Sequence, residues 1–262
     1  MVVRQEMISE LSEWASVGPL DLALVAFWFG LYSTVSWVKL AVPKSVNCNL
    51  AKKVEWDLRI VSSVHALVLL AGSALVYVEL RGVDAREMVF GYSFWSHLFA
   101  QIFRSYLVYD LTMVVRFYPL LKDIGSVIHH AIFLSVVGYC YKYSFFKYPF
   151  IWLTAGELST PFVNLRWHLA ERGQQRGAAY VANGVLLAAT FFLSRVVLYG
   201  WGLAGLYRIR GAWVGRDTPL GLYVVTAGLV AGYLLNLYWF RLIARGLLKL
   251  LARSTSGASK AS

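Results

Sequence analysis

Ile60-Val-Ser-Ser-Val-His-Ala-Leu-Val-Leu-Leu-Ala-Gly-Ser-Ala-Leu-Val-Tyr-Val78 runs for nineteen residues without Asp, Glu, Lys or Arg. At about 1.5 Å of rise per residue, a helix of that length covers roughly 28 Å, close to the hydrocarbon thickness of a bilayer. Residues 22–38 and 220–240 are equally free of those four residue types. With four weaker windows they predict about seven membrane-spanning helices, near 20–42, 58–79, 88–115, 124–141, 147–168, 178–206 and 219–241. The 262 residues are 58% hydrophobic and 15% charged, whereas an ordinary soluble domain carries about a quarter charged residues. The fold class is therefore an all-α, polytopic membrane helical bundle.

The net charge of +11 follows from topology. Basic residues fall in short segments between apolar runs, as the positive-inside rule requires, and there is no basic domain to hold nucleic acid. With the N-terminus away from the cytosol, fifteen Lys and Arg collect on the cytosolic side and eight on the other, while Arg104 and Arg195 lie within spans. The reading is a lumenal N-terminus and a cytosolic C-terminus. Glu6, Glu10, Glu13 and Asp21 against Arg4 leave no basic n-region for a cleavable signal, so the first span is read as a retained anchor. Cys48 and Cys140 are too few for a disulfide framework. Cys48, beside Lys52 and Lys53, is read as a free thiol, with acylation as the alternative.

Charged side chains inside a membrane cost roughly 2.5–3.5 kcal/mol each on insertion scales, so they are paired or they form a site. Here the polar residues share one leaflet. His65, Asp110, the pair His129-His130, Asn164 and Asn236 sit on separate spans, a few residues in from the cytosolic ends, and Glu157 lies deeper. Independent scatter would not favour one leaflet, which predicts a single polar chamber opening towards the cytosol. On span five, within Gly156-Glu-Leu-Ser-Thr-Pro-Phe-Val-Asn-Leu-Arg-Trp167, residues Glu157, Thr160, Pro161 and Asn164 recur on one helical face, and His168 continues it. Pro161 has no N–H for the carbonyl of Glu157, so that carbonyl and the Glu157 carboxylate are expected together in the chamber. The alternative is a kinked packing helix whose Glu157 pairs with Arg104 or Arg195. Arg195 is otherwise read as snorkelling to the far side or pairing with an acid, and His97 as sharing an interhelical contact with Arg104.

Adjacent helical residues point about 100° apart, so His129 and His130 do not converge on one metal ion. The chain has five histidines and no HxxHH, which argues against di-iron chemistry, and no metal site is expected. The pair suits a metal-free role, one ring acting as base or nucleophile and the other held by a carboxylate such as Asp110. A hydrogen-bonded structural pair remains the alternative.

Arg59-Ile-Val-Ser-Ser-Val-His65, Ser105-Tyr-Leu-Val-Tyr-Asp110, Ile128-His-His130 and Glu157-Leu-Ser-Thr-Pro-Phe-Val-Asn164 with Arg166-Trp167 together resemble the TLC domain, named for TRAM, Lag and CLN. The similarity covers about residues 45–250 and is closest to the small TLC-domain-containing proteins of the branch numbered four. It divides the chain into an N-terminal segment with the first helix (1–44), a TLC domain (45–250) and a disordered cytosolic tail (251–262). The resemblance implies a multi-pass protein of the endoplasmic reticulum or another endomembrane, concerned with lipid homeostasis. Ceramide synthases of this family join a fatty acyl group from acyl-CoA to a sphingoid base, using a His pair followed by His-Asp and a further Asp. Here Gly156-Glu157 stands where His-Asp is expected, and Thr160 replaces the second Asp.

The leading expectation is a protein that binds or handles an acyl lipid in the chamber, through His65, Ser62, Thr160, Asn164, Arg166, Trp167 and Asn236. The alternative is an acyl-CoA-dependent acyltransferase with His129, His130, Asp110 and Glu157 as its catalytic set. No cofactor is expected, acyl-CoA being a co-substrate only in the enzymatic case. A transporter or receptor is a minor third reading, since no repeated halves with matched broken helices are present.

Overall fold

Pro19 opens the first helix at a position where a missing N–H costs nothing, and Asp21 Oδ2 accepts from the Gly18 amide at 3.0 Å. In the computed structural model, which describes residues 18–39, 42–122, 124–142, 147–215 and 220–258, this helix is α1 (Pro19–Val38). It is followed by α2 (Leu50–Glu79), α3 (Phe94–Arg116), α4 (Ile124–Lys142), α5 (Lys147–Ala155), α6 (Thr160–Glu171), α7 (Ala178–Phe191), α8 (Tyr199–Arg208) and α9 (Leu220–Ala258). Short helices at Lys44–Asn47, Ala85–Phe90 and Tyr118–Leu121 lie in the connections, and the described residues contain no strand. The acidic segment before Gly18 and residues 259–262 lie outside the described residues.

Five described segments are long and apolar enough to cross a membrane: Pro19–Val38, Leu50–Glu79, Ala85–Arg116, Ala178–Arg208 and Leu220–Lys249. The remaining two windows are also helical, one with a shorter apolar stretch and one interrupted. The apolar part of α4 is the shorter Val127–Cys140, and the fifth crossing is split into α5, a 3-10 turn (Gly156–Ser159) and α6. Capping moves two boundaries from the sequence reading. Asn49 accepts from the Lys52 amide at 3.1 Å and starts α2 two turns early. Asp84 caps the separate helix Ala85–Phe90, and Ser93 caps α3 afresh, so α3 begins at Phe94 rather than 88. Downstream, α9 continues to Ala258, past residue 250, where the sequence suggested a disordered tail.

Successive crossings run antiparallel and define two faces. At the near face, Lys52 Nζ at the start of α2 meets Glu171 Oε2 at the end of α6 at 2.7 Å. At the far face, Glu79 at the end of α2 accepts from the Ser93 hydroxyl at 2.5 Å and the Phe94 amide at 3.1 Å, joining it to α3. Six crossings form an incomplete ring in the order α4, α3, α2, α5–α6, α7–α8, α9, and α1 packs outside on α2 and α3. Gly72 admits the Phe99 ring, and Gly202 and Gly205 admit Trp152 and Tyr148, so α2–α3 and α5–α8 approach closely. One apolar cluster, including Leu69, Trp152, Tyr199 and Leu222, fills the far half of the ring. A second, including Trp28, Val61 and Tyr109, fastens α1.

Candidate functional site

The fifth and sixth crossings are both irregular where they face each other. In the 3-10 turn, the Thr160 amide donates to the Glu157 carbonyl. That corrects the expectation that Pro161 leaves the Glu157 carbonyl open to the chamber: tightening to an i+3 bond supplies the donor that Pro161 lacks. The carbonyl left over is that of Gly156, which accepts from Arg195 Nε at 3.0 Å and from the Ser159 hydroxyl at 3.2 Å. Across from it, the chain between α7 and α8 widens into a π-helical segment, Phe192–Leu198, which carries Arg195. Arg195 Nε also donates to Ser159 Oγ at 3.0 Å, and Nη2 lies 3.4 Å from Thr160 Oγ1 and 3.6 Å from Glu157 Oε1. The Thr160 hydroxyl donates to Glu157 Oε2 at 2.7 Å. Arg195 thus pairs with an acid inside the ring rather than snorkelling. Arg104 does not reach Glu157 but binds Asp21 of α1 at 2.5 Å.

On the other side of the ring, α3 and α4 bring two ionisable groups together. His130 Nε2 lies 3.0 Å from Asp110 Oδ2, and the Tyr106 hydroxyl reaches Asp110 Oδ1 at 3.4 Å. The His129 ring is 5.3 Å from that of His130, inclined by 81°, and packs on Phe133 at 4.5 Å. Only one ring of the pair therefore meets the carboxylate.

From α2, His65 enters the same space. Its ring stacks on Tyr106 at 3.6 Å and 8°, with Trp28 edge-on at 5.5 Å. His65 is 3% exposed, and its Nε2 is buried with no hydrogen-bond partner. Asn164 of α6 is fully engaged. Its carbonyl accepts from Arg59 Nη1 at 3.1 Å, and its amide donates to the Arg59 carbonyl at 3.1 Å and to Ser63 Oγ at 3.0 Å. It clasps α6 to α2.

These groups line one cavity of about 500 Å³. At its near-face end stand Glu55 and Arg59. One to two turns deeper come Ser62, His65, Asp110, His129, His130, Glu157, Thr160, Arg195 and Asn236. The far end is apolar, formed by residues such as Leu69, Phe103, Phe133, Val137, Leu153 and Leu229. Of the residues singled out in the sequence, Arg166 and Trp167 do not line it. Arg166 lies over the Tyr180 ring at 4.2 Å, and Trp167 stacks under Arg59 at 4.9 Å. His168 is likewise turned away, its Nε2 3.3 Å from the Trp56 carbonyl oxygen. Conversely, Arg195, Tyr106, Glu55 and Arg59 line the chamber, and sequence reasoning did not place them there.

The ring is open between α4 and α9. These helices meet towards the far face, where Tyr139 lies against Gly221, but share no continuous contact beyond it. Ile132 on α4 and Leu235 on α9 line the cavity while remaining 55% and 43% exposed, so the chamber has an apolar side opening.

The TLC domain profile matches residues 55–245 of the chain. Similar proteins include TLC domain-containing protein 4 of Xenopus tropicalis, 31% identical over 215 residues, covering 80% of this chain and 81% of its own. TLC domain-containing protein 4-B of Danio rerio is 31% identical over 209 residues, covering 78% and 77%. Topoisomerase I damage affected protein 4 of Saccharomyces cerevisiae is 28% identical over 210 residues, covering 74% and 69%. No solved structure matches.

Proposed function

The chain belongs to the TLC domain family of multi-pass membrane proteins, and from that premise we propose that it binds an acyl lipid, head group at the polar end of the chamber and chain in its apolar end. The observation that carries this reading is the gradient along one cavity, from Arg59 and Glu55 through His65, Asp110 and Glu157 to Leu69, Phe133 and Leu229. Such a cavity suits an amphiphile and suits neither a small polar solute nor a purely apolar one. The side opening past Ile132 and Leu235 lets a chain pass between bilayer and chamber. Lipid homeostasis in the endoplasmic reticulum or another endomembrane is the role we assign. The near face is taken as cytosolic on the distribution of basic residues, with the N-terminus lumenal and the C-terminus cytosolic. A lipid with a photoreactive diazirine at the end of its chain tests this in reconstituted vesicles. Peptide mapping is expected to find the label on far-end residues such as Phe133, Val137 or Leu229. Labelling confined to outward-facing residues such as Leu22 or Trp37 would contradict it.

One contact favours a second reading, an acyl-CoA-dependent acyltransferase. The Asp110–His130 hydrogen bond at 3.0 Å is the arrangement in which a carboxylate fixes the orientation of a catalytic imidazole. In that reading one histidine of the pair attacks the thioester carbonyl, the CoA thiolate leaves, and the acyl group passes to a hydroxyl or amine acceptor, with Glu157 assisting the proton transfer. Intact-mass measurement after incubation with acyl-CoA tests it: an acyl adduct or turnover is expected, and the absence of both across chain lengths would overturn this reading.

A further inference from the structure

The charged side chains lining the chamber have an uneven balance. Among the described residues they are Glu55, Asp110 and Glu157 against Arg59 and Arg195. Both guanidinium groups are already committed. Arg59 donates through Nε and Nη2 to Glu55 Oε1 at 3.1 and 2.7 Å, and through Nη1 to Asn164. Arg195 is spread over the Gly156 carbonyl, Ser159, Thr160 and Glu157.

One acceptor on the chamber wall is less committed. Glu157 Oε1 accepts no hydrogen bond from the described residues, Arg195 Nη2 lying 3.6 Å away, beyond hydrogen-bonding distance. A head-group donor that reaches this oxygen supplies the hydrogen bond it lacks.

An acidic head group entering here meets an excess of carboxylate and no cation lacking a carboxylate partner. Inside the chamber that repulsion is screened less than it would be at the protein surface. A proton on His130, beside Asp110, only brings the wall to neutrality.

Resting on the lipid-chamber reading above, we infer that the chamber selects a lipid whose head group carries hydrogen-bond donors and no net negative charge. Hydroxyl, amide or amine head groups meet this description. Their donors go to Glu157 Oε1. Fatty acids and anionic phospholipids are excluded.

The test offers purified full-length protein an equimolar mixture of oleoyl lipids and reads the bound species by native mass spectrometry. The mixture contains dioleoylglycerol, dioleoyl phosphatidylethanolamine, oleic acid and dioleoyl phosphatidic acid. Wild-type protein is expected to retain the first two over the two acids by about ten-fold or more, equivalent to about 1.4 kcal/mol. Glu157→Gln, which keeps the shape and removes a negative charge beside Arg195, is expected to reduce that ratio at least about three-fold. Retention of the acids at or above the neutral lipids by wild-type protein would overturn this inference while leaving the lipid chamber standing. Binding of no lipid would overturn both.

Discussion

Asp110 on α3 and His130 on α4 meet at 3.0 Å across the one interface that α4 makes along its length, so the polar contact also fixes the edge of the chamber. Their energies are therefore coupled. In a double-mutant cycle of Asp110→Asn and His130→Ala, followed by unfolding in detergent, the coupling is expected to be about 1–2 kcal/mol. Additive effects of the two substitutions would show that the contact contributes nothing.

Arg195 holds the 3-10 turn to the π-helical segment through its fork of donors. Arg195→Gln is expected to destabilise the protein by about 2 kcal/mol, since it removes the Nε donor of the Gly156 carbonyl and leaves the Glu157 carboxylate without its ion-pair partner. Arg195→Lys is expected to recover less than half of that, because an ammonium cannot reproduce the planar fork. Thermal unfolding of the three proteins side by side checks both, and full rescue by Lys would show that charge alone matters.

Asn164 makes three hydrogen bonds between α6 and α2 and offers the chamber little beyond them. Asn164→Ala is expected to lower stability by about 2 kcal/mol while the lipid selectivity of the protein that folds stays unchanged. A changed lipid profile at unchanged stability would place Asn164 in direct contact with the ligand instead.

Much of the chamber was legible in the sequence because depth in a membrane can be read by counting residues from the helix ends. His65, Asp110, His130, Glu157 and Asn236 lie far apart in sequence, yet line one cavity. What could not be read depends on helix irregularity and rotation. Arg195 looked like a far-side residue, but the π-helical widening of Phe192–Leu198 has no sequence signature and re-aims the side chain inward. Arg166, two residues after Asn164, turns about 200° to the other side of α6, whereas Trp167 and His168 stay near the Asn164 face but lie one turn nearer the helix end, where they pack on Arg59 and Trp56 instead of the chamber. The stacking of His65 on Tyr106 joins α2 to α3 and exists only in the assembled bundle.

Two glycines on α9 separate filling of the chamber from damage to the fold. A Cβ at Gly228 meets nothing within 4 Å, whereas one at Gly232 comes within 3.0 Å of the Tyr199 hydroxyl, which itself donates to the Leu229 carbonyl at 2.8 Å. Gly228→Phe is expected to retain wild-type thermal stability within about 0.5 kcal/mol, as for a substitution that breaks no contact. Gly232→Phe is expected to lose about 2 kcal/mol through overpacking. Equal losses in the two variants would argue against the open space at Gly228.

The central claim is that a lipid occupies this chamber, and its most direct test is the lipid content of protein purified in mild detergent, wild type beside Gly228→Phe. A lipid-filled chamber predicts that the wild type carries a bound lipid through purification, and that Gly228→Phe, equally folded, loses most of it because the new ring fills the space. Equal lipid content in the two proteins, or none in the wild type, would contradict the claim.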